Sequence, residues 1–183
     1  MTEETDKPSP KDFVIDVITR IKKDDTAFRA AMTRADNPQT EYQSWRYLIE
    51  LGSVDLKIDW QRRAYALVGA AIARKRPTED GSQSLGEALK MCCIKPGEVD
   101  DSVDRRFRRI LACDSREELI TVLRQIIRYL QSNEKVSLKY EDLLWDILKF
   151  GDDVKRKWAK AFYPKKSEMS EDDSDGSEEE EET

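Results

Sequence analysis

The amino-acid sequence predicts an all-α fold, a compact bundle of roughly eight to nine helices with disordered termini. Apolar residues recur at the three- and four-residue spacing of helices, and no segment alternates apolar and polar residues as a strand does. No sequence repeat recurs at a fixed period. The chain of 183 residues holds only seven glycines and six prolines, and 38% of its residues are charged, which is typical of a helix-rich soluble domain.

The first half of the chain divides into four predicted helices. Residues 1–11 are expected to form a flexible leader, and the Asp24–Asp25 pair and the turn around Pro38 separate helices further along. The predicted helices begin near residues 12, 25, 40 and 59 and end near residues 23, 32, 51 and 76. The inward face of the third helix is predicted to hold Tyr42, Trp45, Leu48 and Ile49.

From residue 84 onward the chain contains two predicted capping boxes, a pattern that opens helices. One is formed by Ser84 and Glu87 and the other by Ser115 and Glu118, and between them the Pro96–Gly97 pair marks the best internal boundary. Helices are predicted after each box. The other helices of this part of the chain are predicted around 103–111, 138–150 and 153–163.

The segment Asp104–Leu111 carries four arginines and is itself predicted to be a helix. Its apolar side chains share one face, Arg105 and Arg109 point the opposite way, and Arg106 and Arg108 flank them. Guanidinium groups match phosphate geometry better than lysine ammonium groups do. Such a row is also typical of a solvated helix face whose arginines pair with nearby carboxylates. Both interpretations stay open on this segment alone.

The net charge of −6 is distributed unevenly along the chain. Residues 164–183 contain ten acidic side chains and two lysines, a charge of −8, which leaves residues 1–163 with +2. This acidic tail is expected to be disordered, because it cannot bury a core. Two roles stay open for it, screening of the arginines and solubility alone. The folded all-helical domain is predicted at 12–163, and helical halves at 12–95 and 98–163 remain an open division.

The composition disfavours several functional classes. The chain contains no histidine, the commonest general base and metal ligand, and no glycine-rich phosphate loop. Its three cysteines form no CxxC motif, a usage that fits a reducing cytoplasm. No apolar run is long enough for a membrane span, and the N-terminus is not signal-like. We therefore expect a cytoplasmic protein that is not an enzyme, with no metal, cofactor, small-molecule substrate or membrane partner.

Four stretches of the sequence, taken in their order and spacing, resemble one family. They are Ser84–Leu89 (SLGEAL), Arg105–Leu111 (RRFRRIL), Leu123–Arg124 and Lys157–Tyr163 (KWAKAFY). They are similar to the CasB family, the small subunit of the type I-E CRISPR Cascade complex. The resemblance implies a non-catalytic helical subunit that pairs with a second copy of itself. It also implies contacts with other Cascade subunits, with crRNA and with target DNA, whose single strands it helps to hold in the R-loop.

The resemblance also implies nucleic-acid contacts at particular residues. The basic positions of the family match Arg34, Arg105, Arg106, Arg124 and Lys155 in this chain. Helical geometry adds Arg108, Arg109 and Arg156 to the predicted nucleic-acid-binding residues. Because base pairing supplies the sequence specificity of a guided complex, such contacts need to reach only phosphates.

Two further alternatives remain open from the residues themselves. A helical adaptor would use the same basic patch to dock an acidic protein partner, and the salt dependence of binding separates it from a phosphate binder. The residues Trp45, Trp60 and Trp158 lie on or near apolar stripes and are interpreted as core. Stacking on displaced bases is the alternative for these tryptophans.

Overall fold

A computed structural model of the chain describes residues 8–93 and 100–163. These described residues form nine α-helices and a 3₁₀ turn at Glu41–Ser44, with no strand beyond one isolated bridge between Gln83 and Leu138. None of these helices is long and apolar enough to cross a membrane. The helices are α1 (Pro10–Lys22), α2 (Thr26–Thr33), α3 (Trp45–Gly52), α4 (Asp59–Lys75), α5 (Leu85–Lys90), α6 (Asp101–Leu111), α7 (Arg116–Gln131), α8 (Tyr140–Leu148) and α9 (Asp152–Phe162). The all-α prediction is confirmed.

Helix α1 begins earlier than predicted because Ser9 caps it. The Ser9 hydroxyl accepts a hydrogen bond from the Asp12 backbone N–H at 3.2 Å, and the Asp12 carboxylate accepts one from the Ser9 N–H at 2.9 Å. Pro10 follows in the first turn. A backbone N–H at this position would have no acceptor within the helix, so proline costs no hydrogen bond there. Residues 10 and 11 of the predicted leader therefore belong to α1. Residues 1–7 of that leader lie outside the described residues.

Helix α3 turns a different face inward from the predicted one. Leu48 is buried as predicted, but Tyr42, Trp45 and Ile49 are 60%, 38% and 51% exposed. The inward prediction is wrong for these three residues. Tyr42 lies in the 3₁₀ turn at Glu41–Ser44, outside α3. Within α3 the buried side is that of Tyr47, Leu48 and Gly52, because the Tyr47 ring packs edge-on against Phe28 with centroids 4.9 Å apart, and this leaves Trp45 and Ile49 at the exposed edge.

Helix α4 lies at the centre of the bundle. It packs against α1, α2 and α3 and also against α7 and α8. Several of its buried residues are small, among them Ala64, Gly69 and Ala71, so neighbouring helices approach closely. One apolar core therefore joins described residues from 12–95 and from 98–163. The predicted boundary at Pro96–Gly97 lies outside the described residues.

Helices α5 and α9 cross in close contact at Gly86. A Cβ atom on this residue would lie 2.4 Å from the backbone oxygen of Trp158, so the crossing requires glycine. The Trp158 side chain is fully buried, and its indole N–H donates to Asp146 Oδ2 at 2.7 Å. The prediction that Trp158 belongs to the core is confirmed.

Helix α8 is capped by a residue that is distant in sequence. Its own N-cap residue, Lys139, makes no side-chain cap bond. The Asp80 carboxylate instead accepts hydrogen bonds from the backbone N–H groups of Tyr140 at 2.7 Å and Glu141 at 3.0 Å. This contact ties the loop after α4 to the start of α8.

The two predicted capping boxes differ in the structure. At α5 both bonds form, with the Ser84 N–H donating to Glu87 at 2.8 Å and the Glu87 N–H donating to the Ser84 hydroxyl at 3.5 Å. At α7 the Ser115 hydroxyl accepts from the Glu118 N–H at 3.1 Å, but the Glu118 carboxylate accepts from the Asp114 N–H. The second box is therefore only half formed, although the helix begins as predicted.

Candidate nucleic-acid interface

Helix α6 is positioned by its apolar face and by its cap. The Asp100 carboxylate accepts the Ser102 backbone N–H at 2.8 Å and begins the helix, and hydrogen bonds from Ser102 lower the pKa of this carboxyl group. Val103, Phe107 and Ile110 are buried, and the Phe107 ring packs on a ring of α9. All four arginines of α6 are exposed. The predicted orientation of this helix is confirmed.

Three of these arginines line an open groove between α6 and α7 with a volume of about 480 Å³. Its lining residues, which we call the arginine groove, are Ser102, Arg105, Arg106, Arg109, Val122, Gln125 and Ile126. Arg105 Nε donates to the Asp101 carbonyl oxygen at 3.3 Å, and Arg106 Nη1 donates to the Ser102 carbonyl oxygen at 2.9 Å. Within the described residues, none of the three arginines forms an ion pair with a carboxylate.

Arg106 is held in place by an aromatic ring of α7. Its guanidinium carbon lies 4.4 Å from the centroid of the Tyr129 ring, a cation–π contact. Partial burial raises the pKa of Tyr129, so the phenol is neutral at physiological pH. A guanidinium group has five N–H donors in one plane. The stacked face and the bond to Ser102 orient this plane and leave further donors for a ligand.

Arg108 differs from the other three arginines of α6. Its Nε donates to Asp104 Oδ2 at 2.7 Å, and the hydroxyl of Tyr163 donates to Asp104 Oδ1 at 2.8 Å. Hydrogen bonding with Tyr163 and the negative charge of Asp104 raise the pKa of the Arg108 guanidinium. The charge of Arg108 is therefore already paired, and it faces α9 rather than the arginine groove.

A second group of arginines surrounds the buried carboxylate of Asp36, which is 5% exposed. Asp36 Oδ2 lies 3.0 Å from Arg74 Nη1 of α4 and 3.5 Å from Arg128 Nη2 of α7. Arg124 precedes Arg128 by one helical turn, and its buried Nε has no hydrogen-bond partner among the described residues. Arg34, at the end of α2, is exposed near Asp36 in sequence. We call Asp36, Arg74, Arg124 and Arg128 the Asp36 cluster.

The structure does not bring all predicted binding residues together. At about 100° per residue, Arg124 and Arg128 lie on the side of α7 opposite Ile126, which lines the arginine groove. On α9, Lys155 Nζ lies 5.4 Å from the centroid of the Phe150 ring. Arg156 Nη2 is paired with Asp153 Oδ1 at 2.7 Å and lines a separate open depression on α9.

Lys155 nevertheless lies near the C-terminal end of α6. Burial raises the pKa of the Cys113 thiol, while the positive charges of Lys155 and Arg109 act to lower it. Both cations are therefore close enough to Cys113 to influence its ionisation. The carboxylates of Glu118 and Asp114 act on the same thiol and raise its pKa, so charges of both signs lie around Cys113.

The sequence model of the family described as CRISPR-associated protein Cse2 matches residues 28–163, more than half of the chain. The chain belongs to the Cse2 family. The predicted CasB resemblance is thereby confirmed, and solved structures share the fold of this Cse2-family chain. No curated protein sequence matches it.

Three similar structures illustrate the shared fold. The crystal structure of CasB from Thermus thermophilus is 24% identical with a TM-score of 0.61, over 85% of this chain and 97% of that one. A second crystal structure from Thermus thermophilus, of a CRISPR-associated protein of the Cse2 family, is 24% identical with a TM-score of 0.62. The match covers 85% of this chain and 97% of that one. A chain of a CRISPR RNA-guided surveillance complex is 21% identical with a TM-score of 0.67, over 84% of this chain and 90% of that one.

Several residues that shape the site of this Cse2-family chain are missed by sequence reasoning. Gln125 and Tyr129 are one helical turn apart on the side of α7 that faces α6. This spacing predicts that they share a face, but it does not predict which helix packs against that face. Arg124 is predicted from the sequence, but the pairing of Asp36 with Arg74 and Arg128 has no local signal, because it joins three segments that are distant in sequence. Among the described residues, no group of His, Cys, Asp or Glu is arranged to hold a metal ion.

Proposed function

We propose that this Cse2-family chain is a non-catalytic small subunit of a CRISPR RNA-guided surveillance complex of the Cascade type. The arginine groove then holds nucleic-acid phosphates in the R-loop. The observation that carries this proposal is a groove with three exposed arginines and no carboxylate partner for them among the described residues. The family membership and the likeness to a chain of such a complex support the same assignment.

The chemistry of the arginine groove suits backbone contacts that ignore base identity. Its cations are arginines on one rigid helix, and fork-shaped guanidinium groups bind phosphate oxygens with two parallel hydrogen bonds. Ser102 and Gln125 add neutral polar side chains to its lining. In a guided complex, base pairing reads the sequence and the protein grips the backbone.

The other predicted binding residues flank this groove in the proposal. Lys155 and Arg108 extend it towards α9, and Arg156 adds a paired cation beyond them. Arg124 belongs to the Asp36 cluster, and Arg34 ends α2 two residues before Asp36, so these two arginines would form a second basic edge apart from the groove. The proposed partners are the other Cascade subunits, a second copy of this chain, crRNA and the DNA strands of the R-loop.

The proposal is tested by binding of single-stranded oligonucleotides of unrelated sequences to the full chain. Arg105→Gln with Arg109→Gln is expected to weaken binding equally for every sequence, since phosphate contacts are independent of the bases. Each phosphate contact on a single strand contributes about 0.7 to the slope of log affinity against log salt, so the slope is expected to fall by about 1.4. The melting temperature should remain that of the wild type, because both side chains are exposed.

A matched control removes the same charge elsewhere. Lys11 and Lys23 are exposed and flank or begin α1, which packs against α2, α3, α4 and α8. Lys11→Gln with Lys23→Gln should change binding much less than the groove variant does. Equal losses of affinity in both variants would show that binding depends on the net charge of the chain and not on the arginine groove. Unchanged binding in the groove variant, together with capture of an acidic protein, would support the adaptor alternative.

A further inference from the structure

The structure places the start of the acidic segment beside the arginine helix. Tyr163 is the last residue before 164–183, and its hydroxyl donates to Asp104 Oδ1 of α6 at 2.8 Å. Its ring also packs on Phe107 of α6, with centroids 5.7 Å apart, and on Phe162, with centroids 4.9 Å apart. The chain therefore leaves the folded domain at a fixed point on α6.

The arginines of α6 lead from this point to the groove. At about 100° per residue, Arg108, Arg105 and Arg109 follow Asp104 around the helix within about 140°, in the direction away from the buried face. Arg108 lies on the Tyr163 side, whereas Arg105 and Arg109 line the groove towards α7. A chain leaving Tyr163 passes the Arg108–Asp104 ion pair and the exposed Asp101 and then meets Arg105 and Arg109, which have no carboxylate partner among the described residues.

The segment that follows has the charge and the length to reach the groove. Residues 164–183 hold ten acids and two lysines, a charge of −8. Its first acid, Glu168, follows Tyr163 by five residues, which span up to about 17 Å when extended. The whole of α6, eleven residues, is about 16 Å long. Every acid of the segment is thus within reach of Arg105, Arg106 and Arg109.

We propose that the acidic segment 164–183 docks on the arginine groove of its own chain and competes there with nucleic-acid phosphates. The docking stands on charge complementarity and on the exit point at Tyr163, and only the competition rests on the proposed function. A tethered segment reaches a local concentration on the order of millimolar, which makes weak ionic contacts effective. Loosely bound nucleic acid is displaced, whereas strands held by an assembled complex outcompete the segment.

The docking is tested without nucleic acid by NMR of the full chain. The neutralised variant carries Asp172→Asn, Asp173→Asn, Asp175→Asn and the change to Gln at each of residues 178–182. At low salt its backbone amide resonances are expected to differ from wild type at Ser102–Arg109 and Val122–Ile126, and the difference should vanish at high salt. In an Arg105→Gln and Arg109→Gln background, neutralisation should shift these resonances far less. Coincident spectra of wild type and neutralised variant at low salt would overturn the docking.

The competition is tested by binding of a generic single-stranded DNA, oligo(dT), to the same full-chain variants. Neutralisation is expected to tighten binding by about three- to tenfold at low salt, given a millimolar local concentration, and the gain should shrink as salt rises. Equal affinity of wild type and neutralised variant at low salt would overturn the competition and leave the segment as a solubility tail.

A matched pair of triple variants separates docking from net charge. Asp172→Asn, Asp173→Asn and Asp175→Asn remove three charges from the segment, and Asp16→Asn, Asp24→Asn and Asp55→Asn remove three from exposed positions of the folded domain. Only the first triple should tighten DNA binding appreciably, and equal gains would overturn the proposal.

If no variant binds DNA while the NMR differences persist, the proposed function fails and the docking stands. If the groove binds DNA while the spectra coincide, the docking alone fails.

Discussion

Trp158 contributes both apolar packing and a buried hydrogen bond to this fold. The side chain is fully buried, and its N–H donates to the carboxylate of Asp146, which also accepts from Lys157 Nζ at 2.8 and 3.0 Å. Asp146 itself is 7% exposed, so its charge is satisfied by these two donors. A tryptophan used in this way supports the core and is not available for stacking on nucleic-acid bases.

Trp158→Ala is expected to lower the free energy of unfolding by about 3–5 kcal/mol, because it opens a cavity in the core. Urea unfolding at neutral pH measures the change. The control is Trp145→Ala, whose side chain is 37% exposed and which should cost much less. An unchanged stability of Trp158→Ala combined with loss of DNA binding would contradict the core assignment and favour a stacking platform.

The carboxyl group of Glu87 gives the fold a pH dependence with a predictable sign. Hydrogen bonds from the Ser84 N–H and hydroxyl lower the pKa of Glu87 in the folded state. The unfolded state then binds more protons in acid, so the contribution of Glu87 is present above its unfolded pKa of about 4.3 and is lost as the pH falls through the folded value. Glu87→Gln should therefore flatten the loss of stability in that acid range. Parallel pH profiles of unfolding for the variant and wild type would show that this bond contributes nothing.

At the scale of the helices, the crossing of α5 and α9 depends on the absence of a side chain at Gly86. Gly86→Ala places a Cβ atom 2.4 Å from the backbone oxygen of Trp158, so α5 and α9 must move apart. We expect a loss of about 1–3 kcal/mol of stability, the usual cost of overpacking. Gly151→Ala is the control, because its Cβ would meet no atom closer than 3.9 Å and its φ of 173° is ordinary extended backbone. Equal stability of the two variants, measured by denaturant midpoints, would contradict the close crossing.

The helices themselves are largely predictable from the sequence, since most carry an apolar stripe and a local cap. α6 is the clearest case, because Val103, Phe107 and Ile110 share one face and the arginines share the other. The inward face of α3 is predicted wrongly, because Tyr42 lies in a separate 3₁₀ turn and the packing of Tyr47 on Phe28, a residue of α2, selects a different face of this short helix. Local patterns therefore predict helices well and the exact face of a short helix less well.

Contacts between distant segments are what the sequence does not reveal. Asp80 caps α8 across 60 residues, and Asp36 pairs with Arg74 and Arg128 from two other helices. The groove itself requires the packing of α6 on α7, which brings Gln125 and Ile126 beside the arginines. The arginines of the groove and Arg124 are predictable from the sequence, whereas Asp36 with its partners Arg74 and Arg128, and the separation of the two groups, are not.

At the scale of the whole molecule, the chain is expected to have no catalytic activity of its own. It contains no histidine and no glycine-rich phosphate loop, and buried carboxylates such as Asp36 and Asp146 are engaged in ion pairs. Purified protein should show no nuclease, ATPase or helicase activity, with or without divalent metal. Metal-dependent cleavage that co-elutes with the protein and disappears on substitution of one of its carboxylates would refute this expectation.

The central claim is that a basic helical surface, centred on the arginine groove, stabilises target binding within a guided complex. The most direct measurement compares dissociation of a crRNA-matched DNA target from complexes assembled with wild-type chain, with Arg105→Gln and Arg109→Gln, or with Lys11→Gln and Lys23→Gln. We expect all three chains to co-purify with crRNA and the other subunits. Only the groove variant should release the target faster, equally for unrelated guide sequences and with a weaker dependence on salt. Failure of the wild-type chain to co-purify, or identical release rates from all three complexes, would contradict the claim.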